Sequence, residues 1–345
     1  MGPPERIRKS LPKRLLSKIL GLFAAPRINM KEDYEKIRLA QRVLTWMPED
    51  PEHIIDQIVL ADDGYEIPVR LFLPKSDEVK PGVLLFFHGG GWVIGDIDTY
   101  GPTCRTMADV TGRLVCSVGY RLAPENPYPI GLNDCLRVTE TLLETPSLAD
   151  VYGPEDVTLI GDSAGGNLVA AVTLALRERG RTLPGAQILL YPLVQWDHDP
   201  ETSPFPSVAE YGTGLRLTSE EVNAFRDMYQ PDPSTHTSPY IAPLAADDLS
   251  GLPRTLVITA EMDLLRDEGE AFGLALRAAG TPARVERIDD TIHGFITLPR
   301  IVRPVTEAYE AITSFLDGDM EDSRVLEAPP VVVPEPDSGA EGADT

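Results

Sequence analysis

Cysteine is scarce in this chain: Cys104, Cys116 and Cys135 are the three among 345 residues. An odd number without metal-ligand spacing argues against a disulfide framework and against a thiolate metal site, and it points to a reducing cytoplasm. Cys116 lies inside the apolar run Leu114–Val118, so these thiols read as small buried apolar side chains. Long apolar runs are also missing, and none approaches the ~18–20 residues that span a bilayer. Positive charge is in short supply. Against 54 acidic side chains stand 31 lysines and arginines, a net charge of −23. Such a surface repels nucleic acid and anionic membranes, and it bears on partners rather than on fold.

What remains is ordinary globular material: 42% hydrophobic and 25% charged residues, enough for one large domain or two smaller ones. Near the start, Arg6, Arg8, Lys9, Lys13 and Arg14 precede a short apolar stretch at 19–25. Lys18 abuts that stretch and no small-x-small pattern follows, so it reads as an amphipathic basic helix rather than a secretion signal. Residues 1–50 as a whole read as a helical cap segment. From Asp317 the composition turns to Asp, Glu, Pro, Gly and Ser, ending PEPDSGAEGADT. Residues 317–345 are therefore expected to be a disordered acidic tail, too poor in apolar surface to offset ordering entropy.

Between these ends, at 51–316, short β-rich runs alternate with helical patterns. Ile54–Leu60 and 67–73 read as an antiparallel pair joined at Asp62-Asp63-Gly64. Near-continuous apolar runs follow at Val83–Phe87, Leu114–Val118, 157–160, 188–191, 256–260 and 285–288, as parallel strands buried on both faces require. Helical periodicity fills the intervals at 103–111, 132–143, 167–179 and 268–279, with a last helix near 305–316. The alternation predicts an α/β class protein with a mostly parallel, doubly wound sheet. Residues 195–239 break the pattern with several prolines and a helix near Ser219–Tyr229. Together with the first 50 residues they suit a lid over the strand ends.

Two glycine-rich segments carry the chemistry. Gly161-Asp162-Ser163-Ala164-Gly165 stands between an apolar strand and a helix, the setting of a nucleophile elbow. Its glycines allow the sharp turn that exposes the Ser163 hydroxyl, with a helix N-terminus behind it. His88-Gly89-Gly90-Gly91-Trp92 directly follows Val83–Phe87. The N–H groups of these three glycines, with that of Ala164, can build an oxyanion hole, and His88 reads as a structural residue of the loop.

A serine nucleophile needs a base, and the base an orienting acid. Of five histidines only His293 lies in a loop after the last expected strand, where it can reach the elbow. Asp263, after the strand at 256–260, is the expected acid. Asp267 and Glu268 read as cap and first-turn residues of the next helix, and Glu261 as a structural carboxylate. Trp92 follows the glycine loop and Phe295 follows His293, so both are candidate substrate contacts, and each suits a packing role equally well. No residue pattern calls for a metal.

These segments resemble the hormone-sensitive-lipase-like branch of the α/β-hydrolases, in its bacterial esterase form. HGGGWVIGD at 88–96, YRLAPENPYP at 120–129, GDSAGGN at 161–167, DLLRDEG at 263–269 and HGF at 293–295 occur in family order. The resemblance implies an α/β-hydrolase fold with a helical cap, a Ser163–Asp263–His293 triad and an oxyanion hole supplied by Gly90, Gly91 and Ala164. It further implies no cofactor and a small-molecule ester with a short acyl or acetyl group as substrate. Met262 and Leu264 depart from the tyrosine and proline often found around the acid and leave the acid in place. A small-molecule deacetylase, an amidase or an acyltransferase would use the same residues. The family's non-catalytic receptors discard the histidine that is kept here. A homodimer stays open as an assembly.

Overall fold

The computed structural model describes residues 29–45, 50, 52–76, 78–144 and 153–322. The basic stretch at 6–25 and most of the expected acidic tail lie outside them. Eight strands form one sheet: β1 (Ile54–Leu60), β2 (Glu66–Phe72), β3 (Val83–Phe87), β4 (Leu114–Val118), β5 (Val157–Asp162), β6 (Ala186–Leu190), β7 (Arg254–Met262) and β8 (Ala283–Ile292). Their order is β1-β2-β4-β3-β5-β6-β7-β8. β2 runs antiparallel to both neighbours, and the pairs from β4 onward are parallel.

The alternation of side chains along β3 shows how the sheet sorts its two cores. Val83, Leu85 and Phe87 face one cluster, while Leu84 and Phe86 face the other. On the first face pack α3 (Ile130–Glu144), α4 (Ala164–Glu178) and α7 (Arg266–Ala278). On the second lie α2 (Gly101–Thr111) and α8 (Arg303–Leu316). With both faces covered, the central strands are buried throughout, which is why they read as unbroken apolar runs. Cys104, Cys116 and Cys135 are unpaired and buried in these cores.

Over the C-terminal edge of the sheet sit α1 (Met30–Leu44) and the insertion after β6, which carries α5 (Pro206–Tyr211) and α6 (Ser219–Tyr229). Lys31 on α1 pairs with Asp227 on α6 at 2.7 Å. Arg38 donates to the carbonyls of Val93 and Ala123, and Gln41 accepts from the N–H of Gly95. α1 is thereby tied both to the insertion and to the loop after β3.

The expected tail begins too early. Asp317 pairs with Lys80 and Arg113, Asp319 with Arg284, and Asp322 accepts from Arg277 and from the N–H of Val285. Composition alone missed this because the acids are held by cations from distant parts of the chain. Residues 323–345 lie outside the described residues. Among the described residues no helix is long and apolar enough to cross a membrane.

Candidate active site

Strand β5 ends in a turn that only its particular residues permit. Ser163 takes φ 55° and ψ −120°, a conformation costly for a side-chain-bearing residue and typical of functional sites. Its neighbours must therefore be minimal. A Cβ on Gly161 would come within 2.4 Å of the Gly165 carbonyl, and one on Gly165 within 2.0 Å of the Phe87 oxygen. The Ser163 N–H donates to the Leu190 carbonyl at 2.8 Å, anchoring the turn to β6. α4 starts at the next residue, so the Ala164 N–H is one of the helix's unpaired first-turn donors.

The loop after β3 runs alongside. Gly90 and Gly91 adopt φ of 105° and 59°, and a Cβ on Gly91 would meet the Phe225 ring at 2.3 Å. Turn bonds hold the loop, with Val93 and Ile94 donating to the Gly90 carbonyl. None of the backbone bonds outside helices and strands uses the N–H of Gly90, Gly91 or Ala164, among the described residues.

Asp162 ties elbow to loop. The Gly89 N–H donates to its Oδ1 at 2.8 Å, and the Tyr100 and Tyr191 hydroxyls face Oδ2 at 3.1 and 3.4 Å. Burial pushes this carboxyl up to about 6 despite those donors. His88 is also buried. It stacks on Tyr120, its Nδ1 lies 2.8 Å from the Gly89 carbonyl, and burial lowers it to about 4, so the ring is neutral at pH 7.

His293 joins the remaining parts. Its Nε2 lies 2.9 Å from Ser163 Oγ and its Nδ1 2.7 Å from Asp263 Oδ2. Asp263 is buried, and the N–H of Leu265 donates to its other oxygen at 3.0 Å. The imidazole meets the Tyr191 ring edge-on at 4.8 Å. Ser163, His293 and Asp263 thus form a continuous hydrogen-bonded row beside the loop's glycines.

A cavity of about 180 Å³ opens on this row, lined by Gly90, Gly91, Trp92, Ser163, Ala164 and His293. The insertion contributes Leu217, Val222 and Phe225 to its lining, and α1 contributes Met30. A larger cleft of about 740 Å³ lies between α1, the β1–β2 pair and the far side of the loop. It reaches His88 and not Ser163.

Some expected contacts fall elsewhere. Phe295 is fully buried against Tyr191, with ring centroids 5.3 Å apart, and does not line the cavity. Gly294, at φ 75°, turns the chain after His293 so that the next side chain enters the core. Trp92 does line the cavity, while its ring is stacked on Tyr229 at 4.3 Å and almost wholly buried. Asp267 and Glu268 occupy the first turn of α7 but turn their carboxylates to the insertion. Asp267 accepts from Ser207 N–H, while Glu268 accepts from Val194 N–H and pairs with His198. Glu261 accepts from the Asp290 N–H, a structural contact. Reading the sequence did not single out Arg216 as a lining residue, because a lone arginine in an irregular loop carries no pattern.

A family model described as alpha/beta hydrolase fold matches residues 84–297. The chain is 35% identical over 303 residues to Esterase LipI of Mycobacterium tuberculosis, covering 85% of this chain and 91% of that protein. It is 28% identical to an ethyl acetate hydrolase of Pseudomonas putida, over 88% of this chain and 93% of the relative. Among solved structures, a hyperthermophilic esterase from the archaeon Pyrobaculum calidifontis superimposes with a TM-score of 0.75 at 32% identity, over 88% of this chain and 96% of that one.

Proposed function

Because the chain belongs to the hormone-sensitive-lipase-like esterase family of the α/β-hydrolase fold, we propose that it hydrolyses short-chain carboxylic esters through an acyl-enzyme on Ser163. The observation that carries this reading is the placement of one imidazole, His293, within hydrogen-bond reach of both a hydroxyl and a buried carboxylate. The small cavity, about 180 Å³ under the cap, favours an acetyl or similarly short acyl group.

In the proposed cycle the Ser163 hydroxyl gives its proton to His293 Nε2 as Oγ attacks the acyl carbonyl. Asp263 accepts from Nδ1–H throughout, fixing the tautomer and stabilising the imidazolium. The carbonyl oxygen, turning anionic, is met by the N–H groups of Gly90, Gly91 and Ala164, each such donor being worth about 3 kcal/mol in the transition state. Collapse breaks the ester C–O bond, and His293 returns the proton to the leaving alcohol oxygen. Water, deprotonated by the same imidazole, then attacks the acyl-serine and frees the acid. Asp162 keeps the two halves of the site together by accepting from the Gly89 N–H.

The cap in this reading is the 195–239 insertion with α1, set on a catalytic domain at 51–316. Three unpaired, buried thiols support a cytoplasmic location. Ser163→Ala tests the central claim. Hydrolysis of p-nitrophenyl acetate and butyrate should fall by a factor on the order of 10⁴ or more, with the thermal melt retained. A folded variant that keeps its activity would remove Ser163 from the mechanism.

A further inference from the structure

Arg216 lies in the cap insertion between α5 and α6, exposed to solvent, and it lines the catalytic cavity. Its guanidinium is next to the catalytic row: a Cβ placed on Gly294 would be 3.3 Å from Arg216 Cζ and 3.5 Å from Nε. Gly294 follows His293 directly, so the cation packs against the loop that carries the imidazole, and both line one cavity.

Among the described residues this guanidinium has no hydrogen-bond or ion-pair partner, although two carboxylates line the same cavity. Both are occupied. Asp162 is buried under Gly89 N–H and the two tyrosine hydroxyls. Glu221 accepts from the N–H and hydroxyl of Thr218, closing the N-terminal cap of α6.

The larger cleft provides the contrast. Four arginines line it and all are neutralised: Arg38 by Glu125, Arg42 by Asp96, Arg70 by Asp56 and Asp98, and Arg121 by Asp63 and Asp134. In a chain of net charge −23, acids for pairing are plentiful, and the cation at the catalytic cavity is left without one. A guanidinium with its planar fork of donors free at a binding cavity is suited to a carboxylate or other oxyanion.

We propose that Arg216 is a specificity-determining residue that selects esters carrying an anionic group on the alcohol portion, such as the acetyl ester of a hydroxy acid. The side follows from the chemistry. His293 hands its proton to the leaving oxygen, so the alcohol portion lies toward the His293 loop, against which Arg216 packs. The inference rests on the ester-hydrolase reading above.

The test compares matched pairs by acid release in a pH-stat, each rate divided by that for hydroxide-catalysed hydrolysis. Acetoxyacetate and acetoxyacetamide place the charge, or its neutral isostere, on the alcohol side. Monoethyl succinate and ethyl succinamate place it on the acyl side. The wild-type protein should favour acetoxyacetate over acetoxyacetamide by about fivefold in kcat/KM, the upper end for one exposed ion pair. Arg216→Gln should bring that ratio near one while leaving acetoxyacetamide turnover within about twofold, and Arg216→Lys should restore part of it. An unchanged ratio in Arg216→Gln, an equal loss on both esters, or a preference confined to monoethyl succinate would overturn the proposal. If acetoxyacetate is hydrolysed no faster than acetoxyacetamide while p-nitrophenyl acetate is turned over, the inference fails and the esterase reading stands. If none of these esters is hydrolysed, both fall together.

Discussion

A carboxylate in the place of Asp263 has two oxygens to satisfy, and both are committed: Oδ2 to His293 Nδ1 and Oδ1 to the Leu265 N–H. Asn at this position keeps the shape but offers one acceptor and one donor. The backbone N–H at Leu265 claims the acceptor, so the amide N–H faces Nδ1 and forces the other tautomer, with the proton on Nε2 where Ser163 needs an acceptor. Asp263→Asn should lower kcat for p-nitrophenyl esters by on the order of 10⁴ with little change in thermal stability. A variant within tenfold of the parent would show that the carboxylate is dispensable. The residues of this row were legible because their constraints are local: a strand, two glycines, a helix, and a fixed chain order. Arg216 was not, since its meaning depends on a cap loop meeting Gly294 from 78 residues earlier in the chain. For Phe295 the sequence leaves substrate contact and packing open for the same kind of reason, since adjacency to His293 says nothing of the turn at Gly294.

At the scale of elements, β1, β3 and β4 match the expected runs from end to end, while the other strands agree at their centres and differ at an end. β7 and β8 run past the apolar stretches at 256–260 and 285–288 to Met262 and Ile292, because ladder pairing continues beyond the fully buried segment. α5 left no sequence signal: six residues after a proline-rich stretch are too few to show a period. What holds such an insertion in place is not its own helix propensity but its ties to α7. Glu268 is completely buried, bonded at one oxygen to the Val194 N–H and at the other to His198 Nε2. Removing it strands both partners away from water, so Glu268→Ala should cost about 3 kcal/mol or more in urea unfolding. Glu268→Gln, which can still accept from Val194, should cost less than half as much. Equal losses in the two variants would mean that the carboxylate itself, which both remove, fixes this junction, and not the side-chain volume or the Val194 bond that Gln keeps.

For the whole molecule, the two buried titrating groups at the base of the site act in opposite directions. His88 is held near 4, below its ordinary 6.5, so its contribution to stability is complete above about 6.5 and is lost as pH falls through 4. Asp162 is held near 6, above its ordinary 3.8, so its contribution is complete below about 3.8 and is lost as pH rises through 6. Between pH 4 and 6 each slope approaches about 1.4 kcal/mol per pH unit, and the signs are opposite, so they largely cancel. Asp162→Asn removes one of them. The variant can still accept from the Gly89 N–H, so the loop keeps its anchor, but the opposing slope of His88 is then uncompensated. Its melting temperature should fall more steeply than that of the parent as pH drops from 6 to 4, with the two curves drawing apart toward the acid end. The remaining acids, paired or repelling one another across a surface of net charge −23, are common to both proteins and drop out of the comparison. Parallel curves over that interval would show that Asp162 carries no excess proton in the folded state. The carboxyl beside Ser163 would then be ionised, held by Gly89, Tyr100 and Tyr191 strongly enough to outweigh its burial.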